Sequence, residues 1–527
     1  MKRIAPAAFA VLAAGLALSA AGCGGGGGPV DTAVVSINLP NGNVAAPTFP
    51  LEINVTGCDV KKMELYDRGT FVQNVAFAGN PMHLELNPTQ VKFTRFAESL
   101  NLTANMTCTD GRTAQSLSAA GTFWPVKEVN TPVGALPKSF VAEGSGAGVA
   151  FVGCMPGAGG VRVLVKVDKF GNVLGNPVQV PGCSDAAIIS DRHPLTGLRW
   201  LYDPPDGTAK WNGAMAFNPK TMTVSASYSG TGANGPAVIR ALGVGPDGNA
   251  VIWDATDLQG NFLRRLPHTG GLNIIPVWSQ PLPQPLNAVP VVDATQSVVV
   301  PGWQFQTGQT GLMYVERYNY AAPGTRSARN DLVQTSFTSL AVYAAPPAQL
   351  NASGTMVYFP AQQPNGTSVV YACSTTVSDC SFTTAPARKW QSGPINGVIA
   401  VAWPYARFSR IAAITPSATT FINADTGGAV ASPTSGVVTA GGQLVTLAFQ
   451  PGAGREFFQL NGPNLLGAEP QEIVGMESAE AGELYRYAVA SGGLTAALDD
   501  AGEIWFRLGT KIVRPYPLIE YRMALQH

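Results

Sequence analysis

The sequence predicts an all-β protein, and three observations lead to that prediction. The chain has 59 glycines and 41 prolines among its 527 residues, so tight turns are frequent. Between the turns lie short segments rich in Val, Thr, Tyr, Phe and Trp, residue types that favour strands. Many of these segments alternate apolar and polar residues, the pattern of strands with one buried face. We therefore expect a β-sandwich followed by a β-propeller.

Residues 1–22 are predicted to be a secretory signal peptide. Lys2 and Arg3 precede an apolar run that is too short to span a bilayer, and small residues follow it. The run from Leu18 to Cys23, Leu-Ser-Ala-Ala-Gly-Cys, resembles the lipobox of bacterial lipoproteins, although the family more often has Leu where this chain has Ala20. The resemblance implies that Cys23 is lipidated and becomes the mature N-terminus. The alternative is ordinary cleavage after a small residue, which would leave Cys23 as a free thiol.

Residues 23–32 are the candidate lipidated cysteine and a Gly-rich tether, whose typical reach is roughly 15–18 Å. The residue after Cys23 is Gly24 rather than Asp, which in the lipoproteins that it resembles implies the outer membrane. We therefore expect an exported protein that is anchored in the cell envelope, with the N-terminal lipid as its membrane contact.

Residues 33–130 are predicted to form a β-sandwich. Residues 51–55 alternate apolar and polar side chains, and turns such as 67–69 follow runs of this kind at short intervals. The runs 62–69 and 102–111 resemble those of bacterial immunoglobulin-like modules, without the Trp of antibody domains. The resemblance implies an immunoglobulin-like module.

Residues 138–527 repeat a looser theme of an apolar strand, a turn with Asp and Gly, and a second apolar strand. Examples are Leu164–Leu174, Gly245–Trp253, Asn423–Val430 and Ala496–Trp505. Asp and Gly suit tight hairpin turns. Repeated hairpins that cannot bury both faces alone indicate a β-propeller. We expect about seven blades, with eight possible, and several separate sandwiches are the alternative.

Two of these hairpins resemble repeats of known propeller families. Asn423–Gly428 is similar to the quinoprotein repeat, but the docking Trp of that repeat is missing after Gly428. Leu494–Gly509 resembles the regulator-of-chromosome-condensation repeat, with Trp505-Phe506 in place of its Trp-Gly pair. Each match is short and lacks part of its motif, so neither activity is implied for this chain.

The seven cysteines bear on the compartment. With Cys23 assigned to the lipid, six remain, and they fall into three neighbouring couples, each within one predicted structural unit. Other pairings are open to six cysteines. Pairing of neighbours fits an oxidising compartment. It gives the disulfides Cys58–Cys108, Cys154–Cys183 and Cys373–Cys380.

Charge and motifs argue against several functions. The chain has 33 basic and 33 acidic residues, and this balance argues against a nucleic-acid partner. It contains no zinc-protease motif, no G-x-S-x-G elbow and no P-loop, so we expect no metal and no cofactor.

Asp191-Arg192-His193 would suit acid–base chemistry, and the oxygen-rich stretches 203–206 and 254–261 would suit calcium. Polar loops and turns are the alternative for all three.

Two groups of aromatic residues are candidate binding residues, because exposed rings stack on sugars and peptides. They are Trp200, Tyr202 and Trp211, and Trp390, Trp403 and Tyr405. The alternative is that these rings fill the spaces between blades. We therefore expect a binding or scaffold module for a protein or glycan. A polysaccharide- or peptide-cleaving enzyme that uses acidic residues of a central channel is the alternative.

Overall fold

The structure is a computed structural model of the 527-residue chain. It describes residues 32–39, 43–87, 99–130, 140–157, 161–180, 183–184, 187–203, 213–229, 231–232, 235–236, 238–256, 260–282, 289–306, 310–321, 324–336, 348–351, 353–362, 367–377, 380, 388–395, 400–405, 410–414, 419–430, 443–450, 455–461, 471–477, 482–489, 496–501, 503–508 and 511–515.

The regular structure of these residues is almost entirely β-strand. Within the described ranges there is one 3₁₀ turn, Gly146–Gly148, and no α-helix. The predicted all-β class is therefore confirmed. No helix in this part of the chain has the length and apolar character needed to cross a bilayer.

Contacts divide the chain into two units that alternate along its N-terminal part. Unit 1 comprises Met1–Asn38, Glu52–Met82 and Leu102–Ser118. Unit 2 comprises Leu39–Leu51, His83–Asn101 and Ala119–His527.

The N-terminal region contains nine strands. They are β1 (Val34–Asn38), β2 (Asn43–Ala46), β3 (Phe49–Thr56), β4 (Val60–Asp67), β5 (Thr70–Asn74), β6 (Met82–Leu86), β7 (Ser99–Cys108), β8 (Thr113–Gln115) and β9 (Ala119–Asn130).

Unit 1 is built from alternating strands. β1 pairs antiparallel with β3, and β4 pairs antiparallel with both β5 and β7. Ile53 and Val55 of β3 are buried while their polar neighbours are less so, as the alternation predicted. The turn between β4 and β5 places Arg68 and Gly69 at positive φ, which suits a tight hairpin.

Unit 2 consists mainly of successive four-stranded sheets, of which the first three are as follows. Sheet 1 contains β10 (Val141–Glu143), β11 (Ala150–Pro156), β12 (Arg162–Asp168) and β13 (Val178–Gln179). Sheet 2 contains β14 (Ile188–Ile189), β15 (Arg199–Tyr202), β16 (Gly213–Asn218) and β17 (Thr223–Ser229), and a ribbon of β18 (Thr231–Gly232) and β19 (Gly235–Pro236) follows. Sheet 3 contains β20 (Val238–Val244), β21 (Ala250–Thr256) and β22 (Gly260–Leu266). The chain then adds β23 (Gly271–Leu272) parallel to β17 of sheet 2 and returns to sheet 3 as β24 (Trp278–Leu282).

Four more four-stranded sheets follow. Sheet 4 contains β25 (Val291–Val292), β26 (Ser297–Gln306), β27 (Thr310–Asn319) and β28 (Arg326–Ser336). Sheet 5 contains β29 (Gln349–Leu350), β30 (Met356–Gln362), β31 (Ser368–Ser374) and β32 (Arg388–Gln391). Sheet 6 contains β33 (Ala400–Tyr405), β34 (Arg410–Ile414), β35 (Thr419–Asn423) and β36 (Ala429–Val430). Sheet 7 contains β37 (Gln443–Gln450), β38 (Arg455–Asn461), β39 (Gln471–Glu477) and β40 (Gly482–Val489).

Sheet 8 combines strands from both ends of unit 2. β41 (Ala496–Leu498), β42 (Ile504–Leu508) and β43 (Lys511–Pro515) pair in order, and β43 pairs antiparallel with β9. The register places Val513 opposite Val129. The strand that precedes sheet 1 in the sequence therefore pairs with the strand that ends sheet 8.

Hydrophobic cores lie between consecutive sheets. Phe217 of sheet 2 joins a core with Val152 of sheet 1, and equivalent cores join sheets 2 and 3, 3 and 4, 4 and 5, and 5 and 6. β37 of sheet 7 contacts β33 and β41. Phe151 of sheet 1 packs edge-on against Trp505 of sheet 8, with the ring centroids 5.5 Å apart. The series of contacts thus returns to sheet 1.

Asp and Asn side chains organise the turns of these sheets, as the sequence predicted. Asp168 Oδ1 accepts the N–H groups of Phe170 and Asn172, both at 2.8 Å. Asp499 Oδ1 accepts those of Ala501 and Glu503 at 2.9 Å. Such bonds satisfy turn N–H groups that strand pairing leaves free, because a short side chain reaches the backbone two to four residues on.

Candidate functional site

The predicted aromatic binding residues are buried wherever the structure describes their side chains. Trp200 and Tyr202 lie in the core between sheets 2 and 3, and Trp390 lies in the core between sheets 5 and 6. This corrects the prediction for these three rings, because a ring enclosed between two sheets has no free face for a ligand. Trp211 lies outside the described residues. Trp403 and Tyr405 belong to β33, and their side chains are not among those described.

Buried tryptophans instead attach sheet 2 to a turn of sheet 3 and sheet 5 to a turn of sheet 6. Trp200 Nε1 donates to the carbonyl of Gly248 in sheet 3 at 2.9 Å, and Trp390 Nε1 donates to that of Ala424 in sheet 6 at 2.5 Å. Gly427 lies in the same turn with φ +75°, and a Cβ there would come within 2.6 Å of the Trp390 ring. Trp390 of sheet 5 therefore docks on the turn of sheet 6 that contains Gly427.

The three predicted disulfides are present in the predicted pairing. Cys58–Cys108 lies in unit 1, and Cys154–Cys183 and Cys373–Cys380 lie in unit 2. The sulfurs of the two bonds in unit 2 belong to buried residues that join the cores between sheets. Cys23 lies outside the described residues.

The predicted acid–base and calcium stretches hold structural contacts in the described part of the chain. His193 Nδ1 lies 3.1 Å from Thr196 Oγ1 of its own turn, and Arg192 pairs with Glu143 and Asp500. Asp203 accepts hydrogen bonds from the N–H and the hydroxyl of Ser184. No group of three or more His, Cys, Asp or Glu side chains among the described residues is placed to hold a metal ion.

Four buried carboxylates are paired with arginine; the sequence analysis singled out one of them, Asp254, as a possible calcium ligand, and did not identify the other three. They are Glu143 with Arg199 and Arg192, Asp254 with Arg264, Asp293 with Arg317, and Glu316 with Arg326 and Arg329. A buried charge is tolerated only where a partner and hydrogen bonds compensate its lost hydration. The partners lie on other strands or other sheets, so no local sequence pattern marks them.

Three of these carboxylates have both oxygens engaged. Glu316, for example, accepts the Tyr318 hydroxyl on Oε2 at 2.5 Å and Arg326 Nη1 on Oε1 at 2.9 Å. Asp293 receives Arg317 on Oδ2 and the Thr295 hydroxyl on Oδ1. These carboxylates are fully used in holding strands and turns together.

Asp254 differs from the other three. It lies near the end of β21 on the face toward sheet 2, opposite Phe262 of β22. Its Oδ2 accepts two hydrogen bonds, from Arg264 Nε at 2.7 Å and from the Tyr228 hydroxyl of β17 at 3.1 Å. Its Oδ1 is buried and has no hydrogen-bond partner. Asp254 is therefore the one buried carboxylate in the described part of the chain with an unused oxygen.

Burial dominates the electrostatics of Asp254. Loss of hydration raises the pKa of its carboxyl above the ordinary value, and the charge and hydrogen bonds of Arg264 and Tyr228 offset only part of this effect. Burial, followed by the Asp254 charge, raises the pKa of Tyr228, so its hydroxyl is a stable donor. The guanidinium of Arg264 also lies 4.5 Å from the centroid of the Phe262 ring.

An exposed apolar segment lies on the outer edge of sheet 2. We call Leu272–Val277, which includes the end of β23, the rim segment. Ile274 is buried, and its N–H donates to the carbonyl of Ser227 in β17 at 2.8 Å. Leu272 and Ile275 on either side of it are 73% and 82% exposed. The strand pairing and the Ile274 anchor hold these two apolar side chains in solvent at a defined position.

Comparison with known proteins finds similar solved structures, but no matching family model and no matching curated protein. The chain is similar to fibronectin(III)-like modules of Clostridium thermocellum CbhA, with 19% identity over 17% of this chain and 94% of that one, at a TM-score of 0.14.

Two longer matches cover most of the other proteins. One is a candidate 6-phosphogluconolactonase from Bacteroides uniformis, with 14% identity over 62% of this chain and 90% of that one. The other is a candidate TolB from Agrobacterium tumefaciens, with 12% identity over 64% and 92%. Both have a TM-score of 0.30. At these identities and TM-scores, the likenesses carry no argument about what this chain binds or catalyses.

Proposed function

We propose that the protein is an exported, lipid-anchored binding module of the cell envelope, whose sheets 1–8 form an eight-bladed β-propeller. The propeller is supported by the packing of successive four-stranded sheets, by the Phe151–Trp505 contact between the first and last sheets, and by the pairing of β9 with β43. Unit 1, with its alternating strands, supports an immunoglobulin-like module within 33–130 that precedes the propeller in 138–527.

The N-terminal sequence and the disulfides support the location. A signal peptide in 1–22 and lipidation at Cys23 would place the protein at the outer membrane, and three disulfides suit an oxidising compartment.

Cys23→Ser should move the protein from the membrane fraction to the soluble fraction, because two acyl chains supply the affinity that one lacks. A variant that matures normally and stays membrane-bound would contradict the lipid anchor.

The rim segment is the observation that carries the binding function. Exposed apolar side chains that the backbone holds rigidly lose little conformational entropy when they are covered, so they favour association with a protein surface. Four of the buried carboxylates described above form ion pairs with arginine, and this supports structural roles for those four groups. We therefore place a protein partner on the rim segment.

The test is affinity capture from envelope extracts with the lipidated full-length protein. The double variant Leu272→Ser/Ile275→Ser should lose a partner that the natural protein captures, while thermal unfolding stays the same because both side chains lie in solvent. Leu117→Ser is the matched control, since Leu117 is 91% exposed and lies in unit 1.

The outcomes separate the possibilities. If the double variant captures the partner as well as the natural protein does, the rim segment is not the binding surface. Turnover of a polysaccharide or peptide that one Asp or Glu substitution abolishes would replace the binding function with an enzymatic one. Self-association of the natural protein that the double variant abolishes would make a second copy the occupant and would also overturn an envelope partner.

A further inference from the structure

We infer that the turn after β12 of sheet 1 docks on a lipid bilayer that contains anionic lipid. We call residues 168–174, which form this turn and the first residues beyond it, the hairpin tip. The inference goes beyond the binding function proposed above, because it gives the protein a second membrane contact, separate from Cys23 and from the rim segment. It rests on exposed apolar side chains and lysines that the structure brings together at the tip.

The hairpin tip holds three apolar side chains in solvent. Phe170 is 57% exposed, Val173 51% and Leu174 38%. The backbone of the tip is fixed, since Val173 forms a bridge with Val167 and the N–H of Leu174 donates to the carbonyl of Lys166 at 2.7 Å. Apolar side chains held in this way gain free energy when an apolar medium covers them, and they lose little backbone entropy in doing so.

Lysines adjoin these apolar side chains. The ammonium group of Lys169 lies 5.5 Å from the centroid of the Phe170 ring. Lys166 Nζ lies 3.5 Å from the carbonyl oxygen of Lys220, so the turn after β16 of sheet 2 lies beside the tip. Residues 166–174 and 218–223 together contain three lysines and one acidic residue, Asp168. The whole chain has no net charge, but these two segments carry an excess of positive charge.

An anionic bilayer surface matches this combination. Aromatic and aliphatic side chains enter the boundary between headgroups and acyl chains, while lysines beside them contact anionic headgroups. Lysine suits this position because its alkyl stem packs along apolar surface and its ammonium group stays in the polar layer. A nucleic acid would also attract the lysines, but its phosphate backbone offers no apolar layer for Phe170, Val173 and Leu174. The chemistry of the tip therefore favours lipid.

The chain that precedes the described residues supports the same partner. The described ranges begin at residue 32, and the Gly-rich tether between Cys23 and this point has a typical reach of roughly 15–18 Å. In this respect the inference rests on the lipid anchor of the proposed function, which would hold the folded chain near the bilayer. A weak contact is then well populated, because the tether gives the tip a high effective concentration at the membrane.

The experiment is co-sedimentation with vesicles of phosphatidylethanolamine and phosphatidylglycerol. It uses the mature chain 23–527 with Cys23→Ser, which carries no lipid. We expect binding at millimolar lipid, with the affinity reduced at least about tenfold in Phe170→Ser/Leu174→Ser. Thermal unfolding should stay the same, because both side chains are exposed. Leu117→Ser is the matched control, since it changes an exposed apolar residue of unit 1 and should leave vesicle binding unchanged.

A charge variant keeps the test decisive if the apolar double variant folds poorly. Lys169→Gln/Lys220→Gln should also weaken binding at least about tenfold, since each lysine near an anionic surface contributes a factor of about five. It should abolish the preference of the natural protein for these vesicles over vesicles of phosphatidylcholine alone. Lys389→Gln is the matched control, because Lys389 is an exposed lysine of β32 in sheet 5 and should leave vesicle binding unchanged.

The results for the tip and for the lipid anchor can be told apart. The inference is overturned if the mature chain does not bind these vesicles, if either folded tip variant binds them as well as the natural protein does, or if the tip variants abolish self-association instead of vesicle binding. None of these results bears on the fractionation of Cys23→Ser in cells, which tests the anchor. If Cys23→Ser stays membrane-bound in cells and Phe170→Ser/Leu174→Ser then releases it, the anchor is contradicted and the contact through the tip stands.

Discussion

Arg317 and Asp293 illustrate how single residues hold sheets 4 and 5 together. Asp293 Oδ1 accepts the N–H groups of its own turn, while Oδ2 receives Arg317, whose Nη2 also donates to Thr375 Oγ1 in sheet 5 at 2.7 Å. Burial tends to raise the pKa of the Asp293 carboxyl, but the hydrogen bonds of Thr295 and Ser297 and the charge of Arg317 together lower it below its ordinary value of 3.8.

This shift gives stability a defined pH dependence. A carboxyl whose folded pKa is lowered stabilises the fold above its unfolded pKa, and this contribution is lost as the pH falls through the folded pKa. Asp293→Asn should therefore cost about 3–5 kcal/mol of unfolding free energy at pH 7, because it leaves Arg317 buried without its counter-charge. The cost should shrink as the pH falls from 3.8 through the lowered folded pKa, because the unfolded chain takes up the proton first and the folded ion pair only at lower pH.

Urea unfolding at neutral and acidic pH measures both effects. Asp168→Asn is the control, since Asp168 organises an equivalent turn near the surface through hydrogen bonds to the backbone and to Asn172. It should cost only about 0.5–1.5 kcal/mol. Equal losses of unfolding free energy in the two variants would mean that the ion pair between Asp293 and Arg317 adds no stability beyond that of an ordinary turn.

Gly427 is required by the tryptophan that docks on its turn. Its φ of +75° is one that other residues rarely adopt, and a Cβ would overlap the Trp390 ring. Gly427→Ala should therefore destabilise unit 2 by about 2 kcal/mol or more. Gly393→Ala is the control, because a Cβ there meets no atom within 4 Å and its φ is not positive. Thermal unfolding by circular dichroism distinguishes them, and equal melting temperatures would contradict the steric argument.

At the scale of elements, the sequence predicted strands and turns well and predicted the positions of side chains poorly. The alternation of apolar and polar residues in 51–55 and the turns organised by Asp depend on neighbouring residues in the sequence, and the structure confirms both. Whether Trp200 is buried depends on which sheet packs against β15, and no pattern within β15 carries that information. The same holds for Asp254, whose partners come from β17 and β22.

The disulfides of unit 2 allow a comparison between elements in one folding unit. Cys154–Cys183 closes a loop of 29 residues and Cys373–Cys380 a loop of 7, and both pairs are buried. The loop-entropy relation gives about 3.5 kcal/mol for the longer loop and about 2.5 kcal/mol for the shorter one. Double Cys→Ser variants of each pair, compared by denaturant unfolding, should show the larger loss for Cys154–Cys183. The reverse order would mean that lost packing outweighs loop entropy.

At the scale of unit 2, the central question is how the first and last sheets are held together. Phe151 and Trp505 are fully buried in one core with Phe140 and Ile512, although most of the unit lies between them in the sequence. The sequence analysis predicted repeated hairpins and a propeller of about seven blades. It did not predict that β9 would pair with β43, since this pairing joins segments with no shared local pattern.

A double-mutant cycle tests this contact directly. Phe151→Ala and Trp505→Ala should each cost about 3–5 kcal/mol of unfolding free energy, since each removes a large ring from a closed core. Because the rings touch in an edge-on geometry, the two losses of unfolding free energy should not add, and the coupling energy should be about 0.5–1.5 kcal/mol.

Phe359→Ala in sheet 5 is the control partner for Trp505→Ala. Phe359 lies in the core between sheets 4 and 5, so those two losses should add within about 0.5 kcal/mol. Additivity in the Phe151–Trp505 cycle would mean that sheets 1 and 8 are not in contact in solution, and the proposed propeller would then lose its closure.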